Sequence, residues 1–178
     1  NLQGWGMVNV EQSITPRAPR SFFYDDLTDI TGANHQSGIG FTTSGQFKEY
    51  TFDIVDRGEP LKVTLTWTDR QNGSDGLAVN NLDLLVTNPN GAQFQGNVFS
   101  GAWTAGGGSA DAQNNVEAVY RLNPMTGTWK IRVTDASHGG GVQPYALFVS
   151  GALGTSPAFT RSDAGGRAWH DAAEKYGH

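Results

Sequence analysis

The sequence predicts an all-β fold, an antiparallel jelly-roll sandwich, on three observations. Several segments alternate strictly between apolar and polar residues, glycine and aromatic residues are abundant while charge is sparse, and no helical periodicity separates the segments. The clearest alternation sets Leu61, Val63, Leu65 and Trp67 against Lys62, Thr64, Thr66 and Thr68. A period of two sends successive side chains to opposite faces of a strand, so one face of this segment is apolar and the other polar.

Residues 1–14, NLQGWGMVNVEQSI, differ in character from the rest of the chain. Their spacing from Asn9 onward is helix-compatible, and Pro16 and Pro19 close the segment off. After a loop carrying Arg17 and Arg20, Phe22-Phe23-Tyr24 begins a β-type run. The stretch from Thr28 to Gln46 is rich in Gly, Ser and Thr and reads as irregular loop or edge. Tyr50, Phe52 and Ile54 then share a face. Leu82, Leu84 and Val86 make another strand, which ends at Asn88-Pro89-Asn90-Gly91, a turn by its residue types. Val116, Ala118, Tyr120 and Leu122 alternate next and stop at Asn123-Pro124. Trp129, Ile131 and Val133 oppose Lys130, Arg132 and Thr134, and Tyr145, Leu147 and Val149 form the last clear strand. With no helix between successive strands, βαβ units are excluded and an antiparallel sandwich remains. The glycine runs at 106–108 and 139–141 read as loops. In the polar tail, residues 154–178, Asp163 is placed to cap a short helix from Ala164 to Tyr176. Gly165 and Gly166 weaken that helix by about 1 kcal/mol each.

Length and charge narrow the function. The 178 residues suit one domain with short appended segments, and 12 basic against 17 acidic residues give a net charge of −5. No Lys/Arg cluster offers the basic stripe that nucleic acid needs. No apolar run approaches the roughly 18–20 residues of a membrane span. The absence of cysteine removes disulfides, thiolate chemistry and cysteine zinc sites together. Asn1 stands where an initiator Met would, so the chain is expected to be a fragment or processed product.

Seven short motifs, in order, resemble one family. Gln3-Gly4-Trp5-Gly6-Met7-Val8-Asn9 resembles the segment that opens the last helix of subtilase catalytic domains. Leu61–Asp69 (LKVTLTWTD) is similar to the first strong strand of the β-jelly-roll domain that follows some subtilases. Asn80-Asn81-Leu82-Asp83-Leu84 with Asn88-Pro89-Asn90-Gly91, then Gly96-Asn97, Asn114-Asn115-Val116-Glu117, Gly127-Thr128-Trp129 and Gln143-Pro144-Tyr145 continue the likeness. It covers roughly residues 1 to 152; nothing after Leu153 resembles the family. The family's H-G-T and G-T-S-M-A motifs are absent, and Gly154-Thr155-Ser156 runs on into Pro157, so its catalytic residues do not carry over.

The resemblance implies a division into residues 1–14, a remnant of the catalytic domain's last helix; 15–153, the jelly roll; and 154–178, a tail. It implies a non-catalytic accessory domain of a secreted subtilisin-family serine endopeptidase. Its expected partner is the subtilase catalytic domain, in the same polypeptide or as a cleaved chain, with Trp5 and Val8 in the packing surface. The alternative is a substrate-binding module for protein or polysaccharide.

Candidate chemistry is oxygen-rich. Asp69, Asn72, Asp75, Asn80, Asn81 and Asp83 surround one inter-strand loop, and hard cations such as Ca²⁺ take six to eight oxygens. The resemblance also points to calcium, although Asn81 stands where the family pattern usually has Asp. The plain alternative is that these Asp and Asn residues serve turns through Asx hydrogen bonds. A second set comprises Asp111, Asn114, Asn115 and Glu117. His170, Glu174 and His178 recur at helical spacing, as two zinc-type imidazoles around a carboxylate or simply a solvated face. Trp103, with Phe94 and Phe99, is a candidate aromatic platform for sugars, against core packing or loop anchoring.

Overall fold

The structure, a computed structural model, describes residues 18–26, 40–69 and 79–154. The expected helical segments at both ends lie outside these residues. Among the described residues ten strands run in chain order: β1 (Ser21–Asp26), β2 (Phe47–Ile54), β3 (Leu61–Thr66), β4 (Asn80–Thr87), β5 (Gln93–Gln95), β6 (Phe99–Ser100), β7 (Trp103–Thr104), β8 (Val116–Arg121), β9 (Gly127–His138) and β10 (Ala146–Gly151). One sheet has the order β1-β10-β3-β8 and the other β2-β9-β4-β5, and β6-β7 is a separate hairpin. All strand pairs are antiparallel. Apart from that hairpin and the β4–β5 turn, the chain changes sheet at each successive strand, which is the jelly-roll path.

The period-two patterns place the core. Tyr50, Phe52, Ile54, Leu61, Val63, Leu65, Leu82, Leu84, Val86, Ile131, Val133, Leu147 and Val149 are buried between the sheets. Each such side chain contributes about 1.5–3 kcal/mol relative to exposure. Buried Trp and Tyr need partners for their polar atoms, and they find them. Trp67 Nε1 donates to the Asn80 carbonyl at 2.9 Å, Trp129 Nε1 to the Met125 carbonyl at 2.8 Å, and the Tyr50 and Tyr145 hydroxyls bond each other.

The alternation of β8 points the other way. Val116 and Tyr120 are half-buried on the outer side and Leu122 is exposed, while Glu117 and Val119 are fully buried. The register explains this: Glu117 pairs with inward Leu65, and Val119 with inward Val63. A carboxylate thus takes an inward place that the apolar pattern assigns to its neighbours.

Two turns show why glycine and asparagine stand where they do. Asn88 Oδ1 accepts from the Asn90 and Ala92 amides, and Gly91 completes the turn at φ +82°, a left-handed conformation that glycine adopts without strain. Asn97 also has a positive φ, 62°, and locks it with side-chain bonds to Val116 O and the Ala118 amide. This segment and the hairpin cover the free edge of β8. Asn97 N donates to Ala118 O, and Thr104 Oγ1 accepts from Tyr120 N.

Candidate functional site

Two buried polar centres flank β4, and they differ in one physical respect. The first is closed. Asp69 accepts the Val79 and Asn80 amides through both carboxylate oxygens, at 2.6 and 2.9 Å. The Asn80 amide is fully buried; its Oδ1 accepts from Gly139 N and Gly140 N, and its Nδ2 donates to Gly140 O and Gln143 Oε1. Gln143 in turn donates to the Thr68 and Pro144 carbonyls. Three loops are knitted together here, and Asp69 and Asn80 spend their oxygens on protein donors.

The second centre is open. Glu117 reaches across the sandwich so that its Oε2 accepts the Leu84 amide at 2.6 Å, while Oε1 is buried with no hydrogen-bond partner. Gly96 makes this approach feasible. A Cβ there would lie 2.2 Å from Glu117 Oε2 and 2.8 Å from its Cβ, closer than atoms pack. On β4, Asn81 Nδ2 donates to Asp83 Oδ1 at 2.9 Å, and Asn81 Oδ1 is likewise buried without a partner.

Burial disfavours the charged form of Glu117 and pushes its carboxyl up to about 8. The Leu84 amide opposes that shift, as does a weaker bond from the Asp111 backbone, and the charges of Asp83 and Asp111 add to it. Asp83 is also raised, first by burial, against the Asn81 hydrogen bond and with Asp111 contributing. Asp111 is the anionic member. Burial alone would raise it, but the side chains of Asn114 and Asn97 and the backbone amides of Gln113 and Asn114 together hold it below the usual carboxylate range.

The two sequence-named acidic sets are therefore redistributed. Asp69 and Asn80 belong to the closed centre. Asp83, with Asn81 bonded to it, interacts electrostatically with Glu117 and Asp111 instead, while Asn115 turns away to donate to Trp67 O at 3.0 Å. Asn72 and Asp75 lie outside the described residues, as do Trp5, Val8, His170, Glu174 and His178. In type alone, bare amide and carboxyl oxygens and electrostatically coupled carboxylates are what a hard cation takes. In spacing the fit is incomplete: among the described residues no group of three or more His, Cys, Asp or Glu side chains could hold a metal ion.

The aromatic trio separates as well. Phe94 is core, stacked on Trp129 with centroids 6.2 Å apart and capped by the Arg121 guanidinium. Phe99 packs edge-on against Tyr120, and Trp103 is half-buried on β7.

One pair escapes sequence reading. Asp135 is fully buried, with Oδ2 at 2.7 Å from His138 Nδ1 and Oδ1 without a partner. The other ring nitrogen of His138 lies 3.0 Å from Gly141 O. A serine would need one of those nitrogens, and both face acceptors already. The pairing is not visible in the sequence, because it depends on an extra residue, Ala136, that β9 carries opposite the Asn81–Leu82 step of β4.

No family model matches the chain, and no curated protein matches it. Among solved structures the chain is similar to a crystal structure of Bacillus licheniformis lipase BlEst2 in propeptide form. The identity is 22%, over 68% of this chain and 24% of that one, with a TM-score of 0.36. The chain spans about a quarter of that protein, and a likeness this slight assigns no activity.

Proposed function

We propose that the chain is a non-catalytic accessory domain of a secreted subtilisin-type serine endopeptidase, which packs on the catalytic domain and stabilises it. The observation that carries this reading is the ordered run of motifs, now with a physical reason for several of them. Asn80 ties three loops, Gly96 admits Glu117, Asn97 closes the β8 edge, and Asn88–Gly91 forms the turn between β4 and β5. These residues maintain a scaffold and are not arranged to attack a bond. The engagement of both His138 nitrogens supports the same reading. Packing is preferred over polysaccharide binding because Phe94 leaves the aromatic platform for the core.

Calcium belongs to this proposal at the open centre. Of the expected oxygen set, Asn81 and Asp83 are the described members not committed to the closed centre, and a cation beside them would supply positive charge among the carboxylates Asp83, Asp111 and Glu117.

The test is association. Mixed with a subtilase catalytic chain, the protein should bind it, and Trp5→Ala should weaken that binding while leaving the melting temperature of the β core nearly unchanged. No association with any subtilase catalytic chain, or stoichiometric labelling of a serine here by a fluorophosphonate, overturns the reading.

A further inference from the structure

Where the β4–β5 turn meets the loop between β8 and β9, an amide is aimed at a sulfur. Asn88 Nδ2 donates to Met125 Sδ at 3.6 Å. The other end of that amide fixes its orientation, since Oδ1 accepts the Asn90 and Ala92 amides at 3.0 and 2.8 Å. Flipping the group would set its NH₂ against two backbone donors. Met125 is fixed as well. Its carbonyl accepts Trp129 Nε1 at 2.8 Å, and its side chain packs, half-buried, against the rim of the core. The two loops also approach each other at Pro89, whose Cγ would lie 3.3 Å from a Cβ on Gly127.

A thioether is a weak acceptor, so an oriented amide donor is spent here on a poor partner. The chain has no cysteine and two methionines, Met7 and Met125, so thioether oxidation is the sulfur chemistry open to it. Oxidation gives the sulfur a polar oxygen, which disrupts packing where a methionine lies deep in a core. Met125 lies at the margin of this core instead, so the added oxygen need not be buried among apolar groups. Three rotatable bonds in the unbranched side chain let that oxygen turn toward Asn88.

We propose that Met125 is a modification site for peroxide-class oxidants, and that Asn88 Nδ2 donates to the oxygen of its sulfoxide. A sulfur lone pair attacks one oxygen of the peroxide, the S–O bond forms as the O–O bond breaks, and hydrogen peroxide departs as water. The sulfur gives up two electrons and the peroxide takes them. The tie between the two loops is then kept on oxidation, with a stronger acceptor in place of a weak one, and reduction of the sulfoxide restores the thioether.

The full chain carrying Met7→Leu retains one thioether and provides the test. Dilute hydrogen peroxide should add one oxygen atom, which peptide mass mapping should place on Met125. The Asn88 side-chain amide protons should shift downfield in NMR spectra on oxidation and return after treatment with methionine sulfoxide reductases. The urea midpoint should hold or rise. Asn88→Asp keeps the Oδ1 acceptor of the turn and removes the donor, so oxidation of that variant should lower the midpoint by about 0.5 M. The proposal is overturned if Met125 stays unmodified, if the Asn88 amide protons do not move downfield, or if the midpoint falls equally in both proteins. The amide protons are read with Asn88 in place, so they decide the question even if Asn88→Asp does not fold.

Discussion

Replacing Glu117 by Gln should change how stability depends on pH more than it changes the fold. The amide oxygen still accepts the Leu84 N–H, and the side chain is isosteric, so the strand contact survives. What disappears is the titration. In the folded protein the carboxyl is raised to about 8 from an ordinary 4.5. Between those values the unfolded chain has lost the proton while the folded chain retains it. Stability owed to this group is therefore fully present below pH 4.5 and lost as pH rises toward about 8. The limiting slope for one group is about 1.4 kcal/mol per pH unit, and relaxation around the buried carboxyl reduces what is realised. Urea melts across this window should give a wild-type stability that declines with pH and a Glu117→Gln profile that is flatter. The variant should gain on the wild type at the alkaline end by about 1–3 kcal/mol, the usual penalty of a poorly satisfied buried polar group. Asp83 is raised for the same first reason, burial, so a residual decline in the variant is expected to come from Asp83. Parallel profiles for the two proteins would refute the reasoning outright.

Three further outcomes are expected. Gly96→Ala should displace Glu117 from Leu84 N and destabilise the domain by about 1–3 kcal/mol in urea melts, the usual effect of overpacking a close contact. Asn80→Ala removes bonds to Gly139, Gly140 and Gln143 and leaves buried partners empty, so a loss of about 2–3 kcal/mol should appear with earlier proteolysis in the 138–143 loop. Excess Ca²⁺ should raise the melting temperature, more at pH 8 than at pH 6 because the cation competes with the Glu117 proton, and Asp83→Ala should abolish the rise; an identical melt with and without a chelator removes calcium from the proposal.

The sandwich was legible because each core strand obeys a period of two, and a half-buried strand leaves no other way to hide Leu61, Val63 and Leu65. The alternation Val116-Ala118-Tyr120-Leu122 is equally clean and marks the outer side of β8, since cross-strand pairing with β3, absent from local sequence, sets its face. The site was less legible than the fold for the same kind of reason. Nothing local distinguishes Asn80 from Asn81, yet successive strand residues face opposite sides, so the first enters a saturated network and the second keeps a bare oxygen. Glu117 looks like a solvated strand residue until the sheets are stacked, and the meeting of Asp135 with His138 depends on the extra residue Ala136 in β9.

Hydrogen-bond satisfaction therefore separates the two centres more sharply than charge does. A polar network that serves only to hold loops together is expected to fill its own donors and acceptors, since each empty one buried in the core costs about 1–3 kcal/mol. The Asp69–Asn80–Gln143 network meets that expectation through backbone amides and carbonyls, so turn chemistry explains it in full. Around Glu117 the opposite holds. Four amide contacts are spent on Asp111 alone, keeping one charge fixed, while an amide oxygen and a carboxyl oxygen nearby are left bare and a buried glutamate is set against two further carboxylates. Protein donors were within evolutionary reach at such a place, as Asn97 and Asn114 demonstrate. An arrangement that assembles negative potential and leaves some of its buried oxygens bare is stable when a proton or a cation completes it. Glu117→Gln tests the proton and the calcium melt tests the cation, and the two are linked because both act on the Glu117 carboxyl.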